Sequence, residues 1–408
     1  MRRFLLGCAL AALVTAGAPG RDQPIEPRLG EPVRLDEGEI EAQSIHLTAT
    51  SRNRVAVAWV IGGGSVPGIY LRQRDGDLGI WQPIQRIEGR IGDRARDLAL
   101  AYDEAGGLHL VWTGLVNGQR RLFHARADAP DLAPANPAPL SANPADADAE
   151  FPLLVLAPGM GMTAIWQENG PLSSVIRAMV IDGADGPSDL GLVSGGEDWA
   201  LAPQLISTEP LRLAWYQADQ IGGRMAVSQW DPEADRWMTA SIAAEPDRLA
   251  RDGFVALLHG SDRMAAAWRE GGLEGEPKIA VALDDAATTA VADRIEPTLV
   301  ELPPGEHASP ALSGDPDGRL TLGWQNFANG ARQVCLRSLG VDDGTTTASL
   351  VVSAPEQRFA GLGDHVSIGD WSIVAWTDIS RDGGRGGVYV REIDWRPLAV
   401  EFSPNEIP

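Results

Sequence analysis

Residues 108–114 read LHLVWTG, a short run that is apolar on both faces and carries a tryptophan near its end. Runs of the same kind return as VAVAWV around Trp59, MTAIWQ around Trp166, LRLAWY around Trp215, MAAAWR around Trp268, LTLGWQ around Trp324 and SIVAWT around Trp376. With Trp112 included, the seven tryptophans stand 53, 54, 49, 53, 56 and 52 residues apart. So steady an interval marks a repeated supersecondary unit, which takes precedence over any local motif.

Each unit has the same order of parts. In the second, RDLALAYDEAGG is a half-buried run ending in a turn, and LHLVWTG suits the middle of a sheet. LVNGQR is then a loop and RLFHARAD another alternating strand. The first unit reads SIHLTATSRN, RVAVAWV, IGGGSVPG, IYLRQRDGDLG and IWQPIQRIEG. Glycine, proline, asparagine and aspartate punctuate four short strands, which predicts one antiparallel meander per unit.

No single meander of this kind buries both of its faces, and seven of them stack radially. The expected fold class is therefore all-β: a single seven-bladed β-propeller of four-stranded antiparallel blades over residues 44–402, closed by an N-terminal strand. Blade cores fall near 44–88, 94–141, 148–194, 200–244, 250–302, 307–354 and 363–394. The tryptophan ends the second strand of each blade, where a large flat group wedges between sheets and its indole N–H reaches a polar partner. A ring must hide the edge between its last and first blades. Residues 32–37, within the N-terminal segment 17–43, match the junction QPIQRIEG in pattern and are expected to pair with the seventh blade. WRPLAVEF, residues 395–402, competes for that role, and residues 403–408 form a tail.

The chain opens MRRFLLGCALAALVTAGAPG. Arg2 and Arg3, an apolar stretch over 4–14 and the small residues ending at Ala16 predict a signal peptide, residues 1–16. Export to the periplasm, or secretion, follows. The apolar stretch is too short to span a bilayer comfortably, and no later segment is long enough. LLGC at 5–8 has the look of a lipidation box, so membrane association follows only if Cys8 is lipidated or through a complex. If Cys8 leaves with the signal, Cys335 is the remaining cysteine and no intramolecular disulfide forms. Losing Arg2 and Arg3 moves the net charge from −22 to −24, which opposes nucleic acid and anionic lipid as partners. Lys278 is the sole lysine beside 33 arginines, a bias in keeping with a GC-rich, Gram-negative bacterial source.

The repeats resemble the blades of the sialidase-like propeller superfamily with its BNR, or Asp-box, repeats. The tryptophan strand, the IYLRQRD-type strand after it and two degenerate boxes carry the resemblance across nearly the whole mature chain. The family box is S-x-D-x-G-x-T-W. RDGDLGIW sets Asp75 six residues before Trp81, and DPEADRW sets Asp231 six before Trp237, where the family spacing is five. Such boxes are structural in the family. Its sialidases use three arginines on a carboxylate, a tyrosine nucleophile with a glutamate, and an aspartate acid/base. The Arg-Ile-Pro motif is missing here, and none of Tyr70, Tyr102, Tyr216 and Tyr389 takes the nucleophile's place. The resemblance thus implies a non-enzymatic member.

In a propeller the blade-to-blade loops and the second-to-third strand loops open on one face, where a ligand or partner would bind. Two residues past the blade tryptophans stand Ile61, Gly114, Glu168, Gln217, Glu270, Asn326 and Asp378, read either as a polar crown or as solvated strand ends. Glu168, Glu270 and Asp378 are the candidate catalytic carboxylates. Arg96, Arg251 and Arg358 each lie near a first strand and could converge on an anionic group. PADADAEF offers Asp146, Asp148 and Glu150 as oxygen ligands, for which calcium is the fitting cation, though a solvated acidic turn explains them too. No other cofactor is expected. DEAGG at 103–107 reads as a hairpin turn, and the six histidines are scattered with no i, i+4 pair, so no zinc site is suggested. A Gly-x-Ser-x-Gly elbow, a phosphate loop and CxxC are all absent.

These features favour a non-catalytic binding or assembly module for a protein or glycan partner on the loop face. One alternative is a sialidase-like glycan hydrolase or lyase, marked by a paired acid and base with shifted pKa values in a concave pocket. The other is a structural subunit of an envelope complex.

Overall fold

A period of two with frequent turn residues makes strands, and strands are what form. The computed structural model describes residues 27–37, 42–62, 66–74, 79–87, 95–128, 135–140, 147–182, 186–195, 199–218, 223–243, 251–257, 263–270, 278–285, 298–299, 302–303, 305–314, 319–340, 347–355, 357, 359–378 and 386–396, with side chains between 239 and 299 only at Ala267 and Ile279. Among these residues the structure is all-β, and no helix is long and apolar enough to cross a membrane.

The strands fall, in chain order, into seven antiparallel groups. Sheet one holds Ala42–Ser51, Arg54–Ile61, Gly68–Arg74 and Gln85–Ile87, each paired with the next. Sheet two holds Leu98–Tyr102, Leu108–Val116, Gln119–Ala127 and Ala135–Pro139. Sheet three holds Asp148–Ala157, Gly161–Asn169, Ser174–Val180 and Ser188–Leu192. Sheet four holds Trp199–Thr208, Leu211–Ala218, Gly223–Asp231 and Arg236–Ala243, and a single parallel bridge from Trp199 to Ser174 joins it to sheet three. Sheet five holds Arg251–Leu257, Arg263–Glu270, Lys278–Asp285 and Thr298–Leu299. Sheet six holds Glu306–Gly314, Arg319–Ala328, Ala331–Gly340 and Leu350–Val351.

Sheet seven holds Ala360–Ile368, Trp371–Asp378 and Gly387–Asp394, and its outer edge is taken by two N-terminal strands, Arg28–Leu29 and Val33–Arg34. Val33 faces Val390 and Arg34 faces Tyr389. Backbone hydrogen bonding that would leave this edge exposed is thereby covered. Of the competing C-terminal segment, Trp395 is buried and donates its indole N–H to Ser372 Oγ at 2.7 Å. Residues 397–402 lie outside the described residues, as do residues 1–16, expected from the sequence to be a signal peptide and including Cys8, and the 403–408 tail.

The first strand of each sheet lies against the first strand of the next, from sheet one to sheet seven, and that of sheet seven lies against that of sheet one. The cores sit between the sheets. Trp59 packs with Ile373 and Val388 of sheet seven, and Trp112 with Val60 and Leu71 of sheet one. Trp166 packs with Val111 of sheet two, Trp215 with Ile165 and Ile176 of sheet three, Trp324 with Ala267 and Ile279 of sheet five, and Trp376 with Val334 and Leu336 of sheet six. Each of these indoles therefore fills the gap toward the preceding sheet. Trp215 donates to Gln217 Oε1 (2.7 Å) and Trp376 to Gln357 Oε1 (3.0 Å). The polar partner expected for every indole is not there at Trp59, Trp112, Trp166 and Trp324, whose N–H groups find none among the described residues because apolar side chains surround them.

One of the two Asp-box positions can be followed. The Asp231 carboxylate accepts from the backbone N–H of Glu233 (2.9 Å) and Ala234 (3.1 Å), fixing the turn between the third and fourth strands of sheet four. Asp75 lies outside the described residues.

Candidate functional site

Because neighbouring strands run antiparallel, first strands begin at the end of the sheets where second strands finish. Near that beginning the first strands bulge. Pairing slips between Glu150 and Leu153, Leu201 and Gln204, Ala308 and Ala311, and Leu362 and Asp364. At three of these bulges a non-glycine residue sits in the left-handed region, Phe151 (φ 47°), Ala202 (φ 50°) and Ser309 (φ 50°), and proline follows each. Bulges re-aim side chains, and they favour the neighbourhood of functional sites.

At this end, where sheets six, seven and one meet, there is a cavity of about 520 Å³. Gln43, Ser44 and His46 of sheet one, Gln325 of sheet six, and Gly363 and Thr377 of sheet seven line it. Gly363 is at the bulge and its lack of a side chain is required. A Cβ there would lie 2.7 Å from Ile45 Cβ and 3.2 Å from the Ala375 carbonyl oxygen.

In the wall, His46 Nδ1 lies 3.8 Å from Asp364 Oδ2, with 37% and 31% of the two side chains accessible. The Asp364 carboxyl accepts from the backbone N–H of Leu47 (3.0 Å) and of His365 (2.8 Å). Desolvation by the surrounding protein nevertheless pushes it up to about 7, and pushes His46 down to about 4. Between those values the pair is a carboxylic acid beside a neutral imidazole, suited to hydrogen-bonding hydroxyls or to moving a proton between them. The described lining contains no arginine or lysine.

Among the described residues singled out from the sequence, Arg96 and Glu150 come together. Arg96 is half exposed and reaches Glu150 Oε1 at 3.4 Å and Asp97 Oδ1 at 3.9 Å, so its charge is already answered within the protein. Arg251 opens sheet five with its side chain outside the described set, and Arg358 lies outside it altogether. Glu168 is buried and pairs with Arg177 at 3.0 Å. Asp378 is buried and accepts from the backbone N–H of Phe359 at 3.4 Å. Glu270 faces Lys278 across sheet five, its side chain again undescribed. With Gln217 and Asn326 also buried, the positions two past the tryptophans form no solvent-facing crown among the described residues. The physical reason is the pleat: residues two apart share a face, so these side chains follow the tryptophan into the gap between sheets.

Asp148 accepts from the backbone N–H of Arg120 (2.7 Å), and Glu150 accepts from Asn169 Nδ2 (2.8 Å). Asp146 lies outside the described residues. Sequence reasoning missed His46 and Asp364, which stand far apart in the chain and meet because sheet seven meets sheet one. It also missed the pairing of His109 with His124, whose rings lie on adjacent strands with Nδ1 and Nε2 3.0 Å apart. The signal available for the latter was alternation itself, since HLVWTG and FHARAD predict neighbouring strands.

No protein-family model and no curated protein matches the chain. Among solved structures it is similar to a polysaccharide lyase of family PL25, an ulvan lyase, solved alone and bound to -[GlcA(1-4)Rha3S]-. Both comparisons have 10% sequence identity and cover 88% of this chain and 95% of the other, with TM-scores of 0.57 for the bound form and 0.56 for the free one. The polysaccharide lyase Uly1 is similar at 11% identity over 93% of this chain and 94% of its own, with a TM-score of 0.51. At such identities the likeness is one of fold.

Proposed function

We propose that the chain is an exported, seven-bladed β-propeller that binds an uncharged glycan segment at the cavity where sheets six, seven and one meet, without turning it over. The ring reading is supported by the unbroken cycle of first-strand contacts, by a tryptophan toward the preceding sheet, and by N-terminal strands on sheet seven. Export to the periplasm rests on the sequence of residues 1–16.

The observation that carries the ligand class is the chemistry of the cavity wall. Two amides, two hydroxyls and an imidazole offer donors and acceptors to sugar hydroxyls. A uronate would bring a carboxylate, and its elimination chemistry would need that charge neutralised by positioned donors or cations. The described wall has no guanidinium or ammonium for the task.

The second reading is a glycan lyase or hydrolase. His46 beside Asp364, both with shifted pKa values, favours it, as do lyases among the structures of similar fold.

Calorimetry with neutral and uronate-containing oligosaccharides, followed by product analysis, separates the two. The binding reading expects affinity for neutral chains, unchanged substrate after prolonged incubation, and affinity at least about fivefold weaker in Gln325→Ala, the cost of roughly one hydrogen bond. Chain cleavage abolished by His46→Ala would establish the enzyme reading instead. Failure to bind any glycan, with a stoichiometric protein companion in a native pull-down of residues 17–408, would favour an assembly role.

A further inference from the structure

At the opposite end of the sheets from the cavity, the turn between the first two strands of sheet two meets the end of the third strand of sheet three. His109 Nε2 lies 3.1 Å from Asp103 Oδ2 and 3.8 Å from Asp182 Oδ2. These three donor atoms all fall within 4.8 Å of one another. Ligands about 2.1 Å from a common metal ion stand roughly 3.0–3.4 Å apart, so small side-chain adjustments bring the set onto one ion.

Every ligand is held in place by something behind it. Asp103 Oδ1 accepts the Gly107 N–H at 2.6 Å, leaving Oδ2 turned to the histidine. Asp182 Oδ1 accepts the Met162 N–H at 2.6 Å, with the same result for its Oδ2. His109 Nδ1 is 3.0 Å from His124 Nε2, and in the tautomer that donates this bond the Nε2 lone pair points at both carboxylates. A lone pair facing two anionic oxygens is unfavourable until a cation sits between them. Two glycines leave room for the side chains themselves: a Cβ at Gly107 would lie 2.6 Å from Arg126 Nε and 2.7 Å from Asp103 Oδ2, and one at Gly161 2.8 Å from Asp182 Oδ1.

Charge fits as well. Arg126 bonds Asp103 Oδ2 through Nη2 at 2.7 Å and Nε at 3.1 Å, so around His109 the cluster holds two carboxylates, Asp103 and Asp182, against one guanidinium. Taking a metal on Oδ2 would have Arg126 keep one of its two bonds to that oxygen and give up the other. The negative charge left over favours a cation beside His109. His109 is almost wholly buried while Asp182 is a third exposed, giving a site closed on the protein side and open to water on the other.

We infer that Asp103, His109 and Asp182 form a binding site for a divalent transition cation of the zinc or cobalt class, oriented by His124 and tying sheet two to sheet three. One nitrogen and two oxygen donors match that class, with water completing the coordination. The rival arrangement is a metal-free relay in which Nε2–H donates to Asp103 and His124 donates to Nδ1.

The test uses the untagged mature chain after dialysis against chelator. Zn²⁺ titration by calorimetry, Co²⁺ visible absorption and thermal midpoints with and without metal are measured on the native chain and on Asp182→Asn. The asparagine keeps an oxygen for the Met162 N–H, so folding is preserved, and its metal-free melt verifies that. Support would be one equivalent of Zn²⁺ that raises the midpoint, ligand-field bands with Co²⁺, and affinity at least about tenfold weaker in Asp182→Asn. If the native chain takes up no equivalent of either metal, or Asp182→Asn binds as tightly, the site is the metal-free relay and the inference falls.

Discussion

The Asp36 carboxylate, almost wholly buried, accepts a 2.7 Å hydrogen bond from the backbone N–H of Val388, 352 residues further along the chain. Arg34 donates to the same carboxylate at 2.7 Å, and a Cβ at Gly387 would stand 2.9 Å from it. The N-terminal segment is thus clamped to sheet seven by a charge, two donors and a glycine that leaves room for them. Asp36→Ala removes an acceptor and leaves Arg34 and the Val388 N–H without it. A loss of about 3 kcal/mol is expected, together with new proteolytic cleavage after residue 26. An unchanged urea midpoint and cleavage pattern would sink the clamp.

Gly363→Ala tests the seam where sheet seven meets sheet one. Its methyl would meet Ile45 Cβ at 2.7 Å, and two strand-anchored groups have little room to part. The expected cost is roughly 1–3 kcal/mol, read from the thermal or urea midpoint. Glycan affinity at the adjoining cavity should fall along with it. Gly118→Ala is the control for space, since nothing lies within 4 Å of a Cβ there, though its φ of +85° carries strain of its own.

Acid should destabilise the protein between about pH 6.5 and 4. Burial pushes His46, His124 and His365 down to about 4 from an unfolded value of 6.5. Their contributions are whole above pH 6.5 and are lost as pH falls toward 4, where the unfolded chain takes up protons that the folded chain refuses. Asp364, raised from 3.8 to about 7, has the opposite sign: its contribution is whole below 3.8 and gone above 7. Three imidazoles outweigh one carboxyl, so melting midpoints should fall steadily from pH 7 to pH 4.5. His365→Gln, whose amide can still donate to the Thr321 carbonyl that His365 now bonds at 3.1 Å, should flatten that slope. A slope of the same steepness in the variant would exclude His365 as a contributor.

The tryptophan interval was enough to find the strands, because a half-buried strand writes its pleat directly into the chain and a repeat writes it seven times. The same pleat, applied one step further, would have placed Glu168, Gln217, Asn326 and Asp378 beside the tryptophans and out of solvent. Reading them as strand-end polarity overlooked that residues two apart share a face. Asp103 was legible as a turn residue and does accept the Gly107 N–H, but its second oxygen is aimed at His109, and one turn says nothing about a neighbouring sheet.

By itself the sequence determined the all-β class, the seven units and their order, since these follow from alternation, turn residues and spacing along one chain. Tertiary structure alone decided which groups became neighbours. His46 meets Asp364 because the last sheet lies against the first, and Asp182 meets His109 because sheet three lies against sheet two. A strand's pattern specifies which face is buried, whereas the identity of what it is buried against depends on how separate sheets stack, and stacking of similar apolar faces leaves almost no mark in the order of residues.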